Sequence, residues 1–348
     1  RLSTTRRPEK WPWRTVSSGW SATAWLRSGS DGVRFRLDTH RKIALSLYDT
    51  FDWHLARRGA FLISVGGPNG ALDLQDRGLQ LVTGGMSAGK AEKLARRLSD
   101  GGRSGDAPTP AWRVAASING RAVLPVGSVV VDAHRYRVIN DNDKQIGWVE
   151  LLAYGGGAYW ARHLPLRGFD REMEDLVPQG PTLESRELAE FLASAGNRSV
   201  GDYPVDPCAG VHPTTPIADA VPRLLASLGR AAALHEPYLS DPPDPEFLHD
   251  YRVALRRMRT LIRALERAGL DARFGMASGP LKELMKSTNR ARDLDVFQQD
   301  LNELADTMSP RLQTAIEPLA ERVRRDRAES RKAMVETLSE SERAWNIG

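Results

Sequence analysis

His249, Arg252, Arg256, Arg259 and Arg263 recur at intervals of three and four in the run FLHDYRVALRRMRTLIRAL, Phe247 to Leu265. At about 100° per residue they fall on one narrow arc of a helix. The planar arginine fork matches phosphate oxygens bidentately, and a row of forks suits a linear polyanion better than one small phosphate. Like charges at this spacing repel, by roughly a few tenths of a kcal/mol each, unless an opposite charge lies along the row. Only Asp250 and Glu266 offer local acidic relief.

Two further segments repeat the pattern. LKELMKSTNRARDLDVF carries Lys282, Lys286, Arg290 and Arg292, and VRRDRAESRKAM carries Arg324, Arg327 and Arg331. Three helices with basic shoulders make one cationic groove. The competing reading spends these arginines on Asp293, Asp295, Glu303 or Glu321 and leaves a structural interaction module.

The elements that must hold the row follow from the apolar spacing. Leu248, Tyr251, Leu255, Met258, Ile262 and Leu265 form the neighbouring arc, the expected core face. Pro-Asp-Pro-Glu ahead of Phe247 is a helix start, with acidic groups at the positive end of the dipole. Helices are expected over 217–236, 245–268, 279–304 and 310–338. Leu281, Leu284, Met285, Leu294 and Phe297 supply the core side of the third.

Upstream the chain changes character. Short runs such as GVRFRLD, IALSLYDT, GAFLISVG, RAVLPV, HRYRVIND and QIGWVELLAY alternate with Gly, Asn and Asp turns, the pattern of hairpins with one buried face. The expected fold is therefore α+β: an antiparallel sheet curled towards a barrel over 31–200, after an extension over 1–30. The Pro- and Gly-rich GDYPVDPCAGVHPTTP over 201–216 reads as a linker, and a helical bundle follows over 217–348. SAGKAEKLARRLSD is the one clear helix of the first part. GGMSAGKA fits GxxxxGK, but Ala91 stands where the Ser or Thr of a P-loop would hold magnesium.

The 348 residues suggest about two domains, and 41% apolar with 27% charged residues is an ordinary globular composition. Net charge is +5 and favours anionic partners. No apolar run reaches the roughly eighteen residues of a transmembrane helix. Cys208 is the only cysteine, which excludes an intrachain disulfide and a thiolate zinc site and fits a reducing cytoplasm. The chain starts at Arg1 without an initiating Met and reads as a fragment or a processed form. His40, His54, His134 and His163 show no ligand spacing, so no metal or cofactor is expected. No helix-turn-helix pair accompanies the basic helices, and nucleic acid is not the favoured partner.

At the basic segments the sequence resembles the CHAD family, the conserved-histidine α-helical domain. The family's signature histidine and RxxxRRxR array match His249, Arg252, Arg256, Arg257 and Arg259, and its arginine-aspartate-x-aspartate element matches Arg292, Asp293 and Asp295. The resemblance implies a helical bundle that binds inorganic polyphosphate along its basic surface, in the cytoplasm and at polyphosphate granules. Family members often carry two pseudo-repeats of helices, and this chain stops after what looks like the first.

The part before the linker resembles a degenerate CYTH domain, the triphosphate-tunnel fold, over roughly 33–195. LYDTFDWHLARRGAFL is similar to that family's strand-turn-strand element, and LPLRGFDREME resembles the element between the two domains. Active tunnel enzymes hold a divalent ion with an ExExK strand. Here the strand reads GVRFRLD, and residues 1–150 contain only Glu9, Glu92 and Glu150. No metal-assisted hydrolysis is expected. A metal-dependent inorganic triphosphatase is the alternative.

Overall fold

The computed structural model describes residues 13–16, 32–65, 71–76, 79–82, 118, 121–154, 158–174, 176, 183–204, 206–269 and 275–346. The chain divides into two compact units, Arg1–Asp202 and Tyr203–Gly348. The α+β expectation holds: an antiparallel sheet precedes a helical region.

The first unit is built on β1 (Arg14–Val16), β2 (Val33–Thr50), β3 (Phe61–Val65), β4 (Ala71–Asp76), β5 (Leu79–Val82), β6 (Val123–Asn140), β7 (Gln145–Ala153) and β8 (Tyr159–Pro165). They form one sheet in the order β1-β8-β7-β6-β2-β3-β4-β5, with every neighbouring pair antiparallel. GVRFRLD and IALSLYDT, read as two strands, are one long strand, as are RAVLPV and HRYRVIND. Bulges between Leu37 and Thr39 and between Leu47 and Tyr48 absorb the bend that separate strands would have needed.

Alternation in β2 buries Ile43, Leu45 and Leu47. On the other face Val138, Ile146, Val149, Leu151 and Ala161 pack with Met173 of a short helix, α1 (Asp170–Glu174). A second helix, α2 (Ser185–Ala195), lies against β6 so closely that a Cβ on Gly127 would stand 1.9 Å from the Leu192 carbonyl oxygen. Only glycine permits that approach. The expected helix SAGKAEKLARRLSD and the GxxxxGK segment lie outside the described residues.

The turn from β2 to β3 is organised by buried carboxylates. Asp49 accepts the backbone N–H groups of Thr50 (2.7 Å), Leu55 (3.0 Å) and Ala56 (2.9 Å). Burial nonetheless raises its pKa from 3.8 to about 6. Asp52 sits 2.9 Å from His54 Nε2 and 3.7 Å from Arg121. Trp53 takes a positive φ of 64° and donates its indole N–H to Asp202 at 2.8 Å.

The second unit contains α3 (Ile217–His235), α4 (Glu246–Arg267), α5 (Gly275–Ser287), α6 (Asn289–Thr307) and α7 (Pro310–Asn346). The core arc of α4 is as expected: Leu248, Tyr251, Leu255, Ile262 and Leu265 are buried. Leu248, Tyr251 and Leu255 share one cluster with Leu239, Ala291, Met334 and Leu338. The helix expected over 279–304 is two helices, broken at Thr288. Phe297, assigned to the core side, is exposed. No helix of the described residues is long and apolar enough to cross a membrane.

Candidate functional site: a cleft between α4, α5 and α6

The basic row of α4 stands beside its apolar arc, so folding of the arc against α3, α5 and α7 carries the row to the flank of the bundle. There His249, Arg252 and Arg256 of α4, Met285 of α5 and Arg292 of α6 enclose a cleft of about 170 Å³, with Val253 on its wall. Two segments recognised separately in the sequence therefore meet, across the break at Thr288.

Arg252 is the pivot. Its Nη1 donates to the Met285 carbonyl (3.1 Å), Thr288 Oγ1 (2.5 Å) and Asn289 Oδ1 (2.9 Å). All three acceptors are neutral, so the hydrogen bonds fix the guanidinium without cancelling its charge. Burial lowers its pKa from the ordinary value, yet an arginine stays cationic at neutral pH. Arg292 is held from the other side. It donates to the Pro245 carbonyl at 3.1 Å, and its Nη2 lies 3.6 Å from Glu246 Oε1.

Arg256, Arg257, Arg263, Lys282 and Arg290 are exposed and pair with no carboxylate among the described residues. Arg257 points about a quarter turn away from the row. Arg259 is half-buried, and its Nε has no hydrogen-bond partner among the described residues. Among the described residues Lys286 reaches only its helical neighbour Glu283, at 3.9 Å.

The third basic segment is used differently. Arg327 Nε donates to Asp295 Oδ1 at 2.8 Å, and Arg331 converges on the same oxygen. Asp295 is fully buried. These two arginines, expected on the cationic groove, are spent on joining α7 to α6. Arg324 is paired with Glu317. The local spacing of Arg327 and Arg331 could not disclose this, because Asp295 lies on another helix, whereas Glu317 is on α7 itself, seven residues before Arg324.

A CHAD domain model matches residues 217–344. The helical unit is a CHAD domain. The match spans α3 to α7 and so contains the whole cleft. A search of curated proteins found no match to the chain.

The sequence reading missed Thr288, Asn289 and Val253. Thr288 and Asn289 are polar residues between two apolar-periodic runs, the one signal that a helix junction was available there. Glu246, His249 and Asp250 of the CHAD domain each bring one ligand atom within 4.8 Å of the others. They are the residues that could hold a metal ion among those described. The positive end of the α4 dipole and Arg292 beside Glu246 both oppose a cation at that place.

Proposed function

We propose that the CHAD domain binds inorganic polyphosphate, with the α4–α5–α6 cleft as the seat of the chain. The observation that carries this reading is Arg252, hydrogen-bonded only to neutral acceptors beside His249, Arg256 and Arg292, where cations outnumber the nearby carboxylate, Asp293. A guanidinium fixed in this way is a preorganised phosphate receptor, since the side chain loses little freedom when the anion arrives. Arg256, Arg259 and Arg263 continue the row along α4, and Arg290 and Lys286 extend the cationic surface across the junction. A chain of linked phosphates can follow such a row, whereas a single phosphate uses only part of it.

The antiparallel sheet supports a tunnel-like ancestry for the first unit, in a non-catalytic form. The acidic side chains of β2 are already engaged: Asp38 receives Arg137 at 2.6 Å, and Asp49 holds the turn amides. Arg34 and Arg36 stand earlier on the same strand, and Arg34 pairs with Asp143.

Thermal unfolding in the presence of long-chain polyphosphate tests the reading. A ligand bound only by the folded state raises the apparent melting temperature as its concentration rises above Kd. The expected result is a rise in the transition of the helical unit that an equal phosphate concentration of orthophosphate does not produce. No rise, or an equal rise with orthophosphate, contradicts a chain-binding cleft.

A further inference from the structure

Among the large apolar side chains of the helical unit that are open to solvent, four fall into two matched pairs. Phe297 and Leu304 of α6 and Leu312 and Leu319 of α7 are 45%, 50%, 52% and 46% exposed. In each helix the two lie seven residues apart, so each pair makes a stripe along one side. The helices fold back on each other around Met308. Their register is fixed by Leu301 in a cluster with Ile316 and Ala320, by Gln313 donating to the Ala305 carbonyl, and by Asp295 receiving Arg327. From that shared contact, both stripes are rotated in the same sense by roughly a quarter turn. All four side chains therefore belong to one face of the α6–α7 hairpin.

The edges of this face carry opposite charge. Asp293 and Asp300, exposed and seven residues apart, run along the outer side of the α6 stripe. Arg311 and Arg322, exposed and eleven residues apart, run along the outer side of the α7 stripe. Among the described residues Arg322 has only the helical neighbour Asp326, at 3.9 Å, a surface pair that competes weakly with an intermolecular one.

We infer that this face binds a second copy of the chain, hairpin on hairpin, about a two-fold axis that runs along the helices. That axis lays α6 of one copy over α7 of its partner in antiparallel fashion. Acidic edge then meets basic edge twice, and the apolar stripes close over each other. A two-fold axis across the helices would instead set Asp293 and Asp300 against their own counterparts. The charge pattern thus selects one arrangement, and a patch complementary to itself is what an isologous contact requires. Heptad-spaced apolar rows on both helices fit the packing of a four-helix seam.

Sedimentation equilibrium of the full chain from about 1 to about 300 μM tests this. The expected result is a monomer–dimer equilibrium that the pair L304S and L312S weakens by about 30-fold or more. The variant D293K and D300K should weaken it by about 10-fold, and adding R311E and R322E to that variant should restore it. Far-UV circular dichroism melts of each variant establish that the fold is kept. A wild-type chain that stays monomeric across the range overturns the inference, and its hairpin face then belongs to another partner. Charge variants that weaken association without recovery in the fourfold variant overturn it as well.

Discussion

Arg252 Nη1 and Thr288 Oγ1 stand 2.5 Å apart, joining the middle of α4 to the break between α5 and α6. The bond fixes the guanidinium that faces the cleft and holds the junction at which two basic segments meet. Arg252 therefore has a structural role beside the receptor role proposed for it, whereas Arg256 and Arg263 on the same row are exposed.

Replacing Arg252 by Gln is expected to destabilise the helical unit by about 1–3 kcal/mol, since it removes the charged donor shared by Thr288 Oγ1, Asn289 Oδ1 and the Met285 carbonyl and leaves that carbonyl with the Thr288 hydroxyl. Replacing Arg256 by Gln should leave stability within about 0.5 kcal/mol, because the side chain is exposed and unpaired. Urea titrations of the two variants check the difference. Equal stabilities would show that the Arg252 bonds contribute nothing.

The α6–α7 junction depends on one carboxylate. Asp295→Ala leaves Arg327 and Arg331 without their shared acceptor in a buried setting. The expected cost is about 3–5 kcal/mol, the magnitude of breaking a buried ion pair from one side. Calorimetric melting reads it directly, and a fall of under about 1 kcal/mol would place the pair with weak surface bridges.

Ionisation of Asp49 should cost the first unit stability between mildly acidic and neutral pH, against His134 and His163, whose pKa values are lowered by burial and which act in the opposite direction. The pKa of Asp49 is raised from 3.8 to about 6 in the fold. Its contribution is therefore fully present below about pH 3.8 and is lost as pH rises through 6. The loss at pH 7 is about 3 kcal/mol from this group alone. Denaturation curves of wild type and Asp49→Asn across pH 4 to 7 separate it from other titrations. The variant forfeits one acceptor oxygen and is less stable overall, but its slope against pH should be flatter. Parallel slopes would exclude Asp49 as the source.

The apolar arc of α4 and the basic row beside it were legible in the sequence because helical periodicity is local. Leu248, Tyr251 and Leu255 are buried at the expected spacing. The break at Thr288 was not legible, since the bonds that stabilise it come from Arg252 on a different helix. Pairing with Asp295 was one of two open readings for Arg327 and Arg331, because a row of arginines looks alike whether it faces solvent or a buried carboxylate, and the paired one is found. Phe297 was misplaced because periodicity marks an apolar stripe without saying what covers it. In the sheet, strand identity was readable, but the continuity of β2 and β6 was not, because bulges let a strand run through residues that look like a boundary.

Arg252 is unsuited to a binding test of the cleft because its side chain also holds the helix junction. A triple change of Arg252, Arg256 and Arg259 removes Arg252's structural bonds together with its charge, so lost binding and lost fold would be confounded. Arg256 and Arg263 carry exposed charge on the same row without partners.

The most direct measurement is fluorescence polarisation of labelled long-chain polyphosphate titrated with wild type, with Arg256→Gln plus Arg263→Gln, and with Arg223→Gln plus Arg230→Gln on α3 as an equal loss of charge. The expected result is an affinity about 10- to 100-fold lower for the α4 pair, with a shallower dependence on salt because fewer phosphates are contacted. The α3 pair should change it by under about threefold. Equal losses in the two pairs would mean diffuse attraction by net charge, and undetectable binding of wild type near 100 mM salt, on the order of physiological ionic strength, would contradict the cleft as a polyphosphate receptor.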